Sequence, residues 1–241
     1  MTFINTVVPF ISAIISFIFA FIIFKRYAEK RRPHLLLWGL GMVFYGIGGF
    51  CEAYFGAFGW NALIFRMWYP FGAILVAAWL GQGTVYLLVK RRYANILMVI
   101  LGVASAYAAI RIFAAELDPT LLTTSVHTGS ELSGHAIVTS GIRTLTPFFN
   151  IYGVITLVGG AVYSAWIFYR KRVLLHRTIG NILIAVGALA PAFGGAFSRF
   201  GIPGALYIGE LIGATLIFLG FWRATTPMEE QSPQSVTKAA S

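Results

Sequence analysis

Charged residues and cysteine are both scarce in this chain. Only 11% of its 241 residues are charged, against about a quarter in a typical soluble domain. The one cysteine, Cys51, excludes an intrachain disulfide and a thiolate metal cluster. Hydrophobic residues make up 58% of the chain and the mean hydropathy is +0.79. The composition therefore indicates an all-α integral membrane protein rather than a soluble domain.

Seven apolar runs are each long enough to cross a bilayer as a helix, which takes about 20 residues. They predict spans at 5–24, 34–55, 62–88, 94–113, 146–169, 178–198 and 203–222. Residues 1–222 are accordingly predicted to form one seven-helix transmembrane domain, and residues 223–241 a disordered cytoplasmic tail. The first run lacks the basic start and the small-residue cleavage site of a signal peptide, so we expect it to be retained.

The net charge of +10 comes mainly from short basic clusters between the apolar runs. Most of the basic residues follow the first, third, fifth or seventh run: Lys25, Arg26, Lys30, Arg31, Arg32, Lys90, Arg91, Arg92, Arg170, Lys171, Arg172, Arg177, Arg223 and Lys238. The positive-inside rule then predicts an outside N-terminus and a cytoplasmic C-terminus in a plasma (inner) membrane protein. Because topology explains these clusters, the charge does not indicate a nucleic-acid partner.

Small residues repeat at similar places in the two halves of the chain. Two sets are spaced by seven and lie 141 residues apart: Gly39, Gly46 and Ala53, and Gly180, Gly187 and Gly194. Two interpretations stay open: a parallel duplication of helices 1–3 and 5–7 joined by helix 4, or glycine-rich helices that align by chance. This three-plus-one-plus-three plan resembles that of SWEET and PQ-loop sugar transporters and of seven-helix microbial opsins.

The lysines test the resemblance to opsins, which bind retinal covalently through a lysine inside the seventh helix. The lysines of this chain all lie outside the predicted spans: Lys25, Lys30, Lys90, Lys171 and Lys238. A covalent retinal is therefore excluded. No two histidines face each other within the predicted spans, which disfavours a haem.

Residues 114–145 form the one long predicted connection, on the outer side. Its stretch SVHTGSELSGHAIVTS has two β-prone arms around a Gly/Ser turn, which predicts a small hairpin cap. His127, Glu131 and His135 are four residues apart, a spacing that would suit zinc on a helix. Gly129 and Gly134 argue against a helix there, so we expect no metal site.

Few charges lie inside the predicted spans, where a charge is costly unless it is paired or functional. The deepest is Glu210, in the run PGALYIGELIGATLIFLGFW, with Tyr207 one turn away on the same face. The sequence allows ion pairs between Glu52 and Arg66 and between Arg199 and Glu210, each across a short connection, while the favoured interpretation of the arginines is that they extend to the membrane interface. Two interpretations of Glu210 stay open: a paired or protonated structural acid, or the titratable centre of a binding site.

Aromatic and polar residues recur on one face of the third span. They follow steps of four and three residues: Trp68, Gly72, Leu75, Trp79, Gln82 and Tyr86. With Tyr69 beside them and Asn150 on the fifth span, they predict the wall of a ligand cavity. The alternative is polar contacts between helices and an aromatic belt at the membrane interface.

These observations favour a protein that binds or transports an unidentified small molecule in a cavity inside the lipid bilayer. One alternative is a seven-helix receptor or pigment-binding protein that signals through a separate partner. Another is a homo-oligomer or a subunit of a larger membrane complex. An enzyme is disfavoured, because no cluster of catalytic His, Asp or Cys lies within the predicted spans.

Overall fold

The structure, a computed structural model, describes residues 3–123, 132, 134–171, 175–202 and 204–225. This part of the chain forms seven long helices and no strand: α1 (Phe3–Lys30), α2 (Pro33–Phe58), α3 (Ala62–Leu88), α4 (Arg91–Phe113), α5 (Leu145–Arg170), α6 (Leu175–Arg199) and α7 (Ala205–Thr225). Each is long and apolar enough to cross a membrane. The seven predicted spans are therefore confirmed as helices. Most of the predicted tail lies outside the described residues.

Apolar side chains cover much of the outside of the bundle. Phe21 on α1 is 71% exposed, and Val99 on α4 and Ile155 on α5 are each 66% exposed. Monomeric soluble proteins rarely expose contiguous apolar patches of this kind, whereas lipid chains suit them. The seven helices and this surface are those of a multi-pass membrane protein.

Six of the helices form a ring, and α4 lies outside it. In the ring α2 packs against α1 and α3, α3 packs against α5, α6 packs against α5 and α7, and α7 returns to α1. The main neighbour of α4 is α3. The helices before and after α4 thus form two arcs, as a three-plus-one-plus-three plan requires.

The two ends of the bundle differ in character. We call the end where α1, α3, α5 and α7 finish the basic end. Arg26 donates there to the hydroxyl of Thr225 and lies 4.9 Å over the Phe221 ring, which joins α1 to α7. The opposite end, the loop end, carries the connections 59–61, 114–144 and 200–204.

Short turns reverse the chain twice at the loop end. Gly59, with φ of 84°, follows the last residue of α2, and Asn61 caps α3 by accepting a hydrogen bond from the Ile64 N–H at 3.0 Å. Gly201 and Gly204 have φ of 87° and 74° between α6 and α7. This left-handed backbone favours glycine, so both pairs of helices can be joined by a few residues.

Glycines bring α6 and α7 into backbone contact. A Cβ placed on Gly209 would lie 2.6 Å from the Ala190 carbonyl oxygen and 3.1 Å from the Gly194 Cα. A Cβ on Gly180 would lie 2.7 Å from the Gly220 carbonyl oxygen. Helices in lipid associate by this kind of close approach rather than by the hydrophobic effect. The glycine spacing of these two helices therefore serves packing.

Two helices contain a π-helical segment, Tyr69–Ile74 in α3 and Val154–Val158 in α5. Pro70 lacks an N–H and so cannot continue the α-helical ladder, while its carbonyl accepts from the Leu75 N–H five residues on. The wider turn rotates the rest of α3 about its axis. Residues after Ile74 therefore face different helices from those that the three- and four-residue spacing of a regular α-helix predicts.

The described part of the long connection packs over the loop end. Residues 116–118 and 136–138 pair antiparallel, with Asp118 N–H donating to the Ala136 carbonyl at 2.9 Å and Val138 N–H to the Glu116 carbonyl at 3.0 Å. Hydrogen bonds from Thr120 hold the pKa of Asp118 below its usual range. The turn of the predicted hairpin, with His127 and Glu131, lies outside the described residues.

Candidate functional site

Four polar or aromatic side chains lie at the same depth below the loop end. Glu52 is six residues before the end of α2, and Trp68 is six residues after the start of α3. Asn150 and Glu210 are each five residues after the starts of α5 and α7. A helix rises 1.5 Å per residue, so each lies about 8 Å into the bundle. We call these four residues the polar layer.

Two carboxyl groups meet in this layer. The carboxyl groups of Glu52 and Glu210 lie within hydrogen-bonding reach of each other. Glu52 is only 1% exposed, and its Oε1 accepts a hydrogen bond from the Trp68 indole N–H at 2.9 Å. The hydroxyl of Tyr45 donates to the backbone carbonyl of Glu210 at 2.8 Å and so ties α2 to α7 beside the pair.

A hydrogen bond between two carboxyl groups requires a proton that they share. Two ionised carboxylates are both acceptors and repel each other. Within the described part of the chain, the Oε2 atoms of Glu52 and Glu210 are buried and have no hydrogen-bond partner. Two buried acids in this position are therefore suited to sharing one proton.

The pair lies beside a cavity of about 410 Å³ enclosed by α2, α3, α5, α6 and α7. Glu210, Trp68 and Asn150 line it, and Arg199 lies at its loop end. The rest of its wall is small or apolar: Gly48, Gly49, Gly72, Ala73, Val76, Ala77, Gly187, Ala188, Pro191, Ala192 and Gly195 among others. This volume and lining are typical of a site for a small organic molecule.

Both π-helical segments contribute to the cavity wall. Gly72 and Ala73 belong to the first and Val154 and Leu157 to the second. Asn150 donates to the Ala73 carbonyl at 3.2 Å across the space between α3 and α5. The two π-helical segments therefore lie at the cavity, and π-helical segments are frequent at functional sites.

An apolar layer closes the cavity toward the basic end. Leu80, Leu157 and Ile217 form its floor and also belong to the packed cluster beneath, which includes Phe19 and Phe221. The cavity that remains in that cluster measures only about 10 Å³. A molecule in the cavity would therefore have no path to the basic end in this conformation.

The cavity has a lateral opening between α5 and α6. Residues 154–170 of α5 pack against α6, whereas the loop half of α5, Leu145–Gly153, hardly contacts it. Val154, Ala192 and Ala196 line the cavity and are also exposed at this gap. In a membrane the gap faces lipid, so an apolar molecule could reach the polar layer without crossing water.

Three residues of the predicted stripe on α3 do not reach the cavity. Trp79 donates to the Ser105 hydroxyl of α4 at 3.1 Å, on the outside of the ring. Gln82 is fully buried, donates to the Ala94 carbonyl at 2.8 Å and accepts from Tyr152. Tyr86 donates to the Asn95 side chain at 2.9 Å near the basic end. The prediction of one continuous face is wrong here, because the π segment turns the helix.

The two predicted ion pairs do not form among the described residues. Arg66 donates to the Ala115 carbonyl at 2.9 Å and so holds the long connection, leaving Glu52 to Trp68 and Glu210. Arg199 is exposed at the mouth of the cavity and is not in contact with the carboxyl of Glu210. The reason is geometric, since equal depth places the two acids opposite each other.

Two other predicted site residues lie in the wall behind the cavity. Tyr69 is buried, and its hydroxyl shares a hydrogen bond with that of Thr146 at 3.0 Å. Tyr207 is fully buried one turn before Glu210, and its hydrogen bond to that acid stays a prediction.

Fold and site together define a seven-helix membrane protein with a one-sided cavity and a buried carboxyl pair. Comparison with models of known protein families, with curated proteins and with solved structures finds no match. The function must therefore be argued from the site itself.

Proposed function

We propose that this protein binds a small molecule in the cavity and carries it within or across the membrane. The observation that supports this most strongly is the coincidence of the 410 Å³ cavity with the polar layer. A cavity left only by imperfect packing would not need two buried acids beside it, because burying them is costly.

Transport rather than binding alone is favoured by the irregular helices. Carrier folds place their sites near interrupted helices, between two repeats that move against each other. The π segments of α3 and α5 line the cavity, and the arcs α1–α3 and α5–α7 are arranged as the proposed duplication requires. A receptor that signals through a separate partner remains the alternative, since the apolar floor is closed.

Filling the cavity is expected to weaken binding. Gly195 lines the cavity, and a Cβ there would meet only the Leu206 Cδ1 atom, at 3.7 Å. The phenyl ring of Gly195→Phe should therefore enter the empty space without breaking the fold. Binding is measured as the rise in melting temperature caused by small molecules in nanodiscs. We expect molecules that stabilise the wild type to bind this variant at least about tenfold more weakly, roughly 1.4 kcal/mol.

The matched control is Gly102→Phe on α4, where a Cβ would meet nothing within 4 Å and the cavity is far. It should respond to the same molecules as the wild type does. Equal responses of both variants would place any binding outside the cavity and contradict the proposal. Molecules that pass this test are then offered to proteoliposomes, where uptake supports a carrier and binding without uptake supports a receptor.

The proposed orientation places the basic end in the cytoplasm, since the basic clusters lie there. Alkaline phosphatase fused after Thr225 should be inactive and green fluorescent protein fused there should fluoresce. The reverse should hold for fusions made after Phe58, at the loop end. Active phosphatase at Thr225 would contradict the orientation, although it would leave the cavity as it is.

A further inference from the structure

We propose that the ligand carries a protonated amine, which binds between Glu52 and Glu210 by displacing the proton they share. This inference rests on the proposed function and specifies its ligand class. The observations behind it are the buried carboxyl pair, the unpartnered Oε2 atoms and the apolar walls of the cavity.

The geometry of the pair favours an ammonium group. Each acid has an Oε2 atom that receives no hydrogen bond from another donor in the described part of the chain. An ammonium offers three donors and one positive charge, so it can bridge both oxygens after the shared proton has left. The two carboxylates would then be separated by a cation rather than by a proton.

The exchange balances in charge. Before binding, two carboxyl groups and one proton have a net charge of −1. After binding, two carboxylates and one ammonium again have a net charge of −1, and one proton has left to solvent. Binding therefore moves no net charge into the low-dielectric interior, where an additional ion would be costly.

A metal ion fits the site less well. Hard cations take six or more oxygen ligands, and no group of three or more His, Cys, Asp or Glu suited to a metal occurs among the described residues. The apolar remainder of the cavity would also be left empty by an ion, whereas it can hold the hydrocarbon part of an amine.

Other ionisable groups near the pair come from three helices. Tyr45 and Cys51 on α2 and Tyr207 on α7 carry phenol and thiol groups, whose ordinary pKa values lie above neutral pH. From α6, Arg199 lines the same cavity at its exposed mouth, where solvent screens its charge. Its position could hold an acidic group on the far side of the ligand, but it does not replace the carboxyl pair.

Three probes of one shape test the proposal: 1-aminoadamantane, 1-adamantanol and adamantane-1-carboxylate. Each is titrated into the wild-type protein in nanodiscs at neutral pH, and heats are compared in buffers of different ionisation enthalpy. We expect the amine to bind at least tenfold more tightly than the alcohol and to release about one proton per molecule bound. Tighter or equal binding of the alcohol or the carboxylate, no binding of the amine, or amine binding without proton release would overturn the inference.

Glu52→Gln and Glu210→Gln show where the proton comes from. In either variant the amide can donate to the remaining carboxylate, so the contact persists without an exchangeable proton. Amine binding should then release none, and release that persists in both variants would overturn the inference. If adamantane-1-carboxylate binds tightly and Gly195→Phe weakens this binding, only the assignment of an amine ligand is overturned. The proposed function fails if no molecule of any class binds in the cavity.

Discussion

The Gly209→Leu protein is expected to lose about 3 kcal/mol of unfolding free energy, at the upper end of the range for overpacking. A side chain at this position would start 2.6 Å from the Ala190 carbonyl oxygen and 3.1 Å from the Gly194 Cα. These are backbone atoms of α6, which cannot rotate away as a flexible side chain can. The helices would have to separate, and the wall of the cavity formed by α6 and α7 would move with them.

Gly159→Leu provides the matched comparison. It introduces the same side chain into a membrane helix, but a Cβ at Gly159 would meet nothing within 4 Å. Unfolding of both variants is followed by the loss of helical signal in increasing fractions of denaturing detergent. Similar losses for the two variants would show that close approach of α6 and α7 does not stabilise the fold.

The seven helices could be predicted from the sequence because each apolar run is long enough to span a bilayer, and charge marks the ends. The direction of side chains could be predicted only where a helix is regular. Trp68 and Gly72 line the cavity as their spacing predicts, whereas Trp79 does not. Pro70 interrupts the hydrogen bonds of α3, but the sequence does not say whether a proline kinks a helix or widens one turn.

The contact between Glu52 and Glu210 was missed for a different reason. Each acid was assigned the arginine nearest in sequence, on the principle that buried charges pair. Depth was the signal that could have found the contact, since both acids lie five or six residues from the loop end. Which helices face each other in the ring depends on tertiary packing. The periodicity of a single helix does not predict it.

Trp68→Phe is expected to lower the unfolding free energy by about 2 kcal/mol, the range for a hydrogen bond to a charged or proton-sharing acid. The substitution keeps an aromatic ring within the cluster of Trp60, Phe65 and Tyr69. It removes the N–H that donates to Glu52 Oε1 at 2.9 Å. Glu52 is only 1% exposed. Water cannot replace the lost donor as easily as it could at a surface.

Trp79→Phe makes the same chemical change on the same helix and separates this effect from the general cost of a smaller ring. Its N–H donates to the neutral hydroxyl of Ser105 at 3.1 Å, and Trp79 is half-buried. We expect it to cost about 1 kcal/mol or less. Glu52→Gln in the Trp68→Phe background should recover part of the loss, since the amide no longer needs the indole to stabilise a carboxylate. Equal losses for the two tryptophans, or no recovery by Glu52→Gln, would mean that Trp68 packs beside the carboxyl pair without stabilising it.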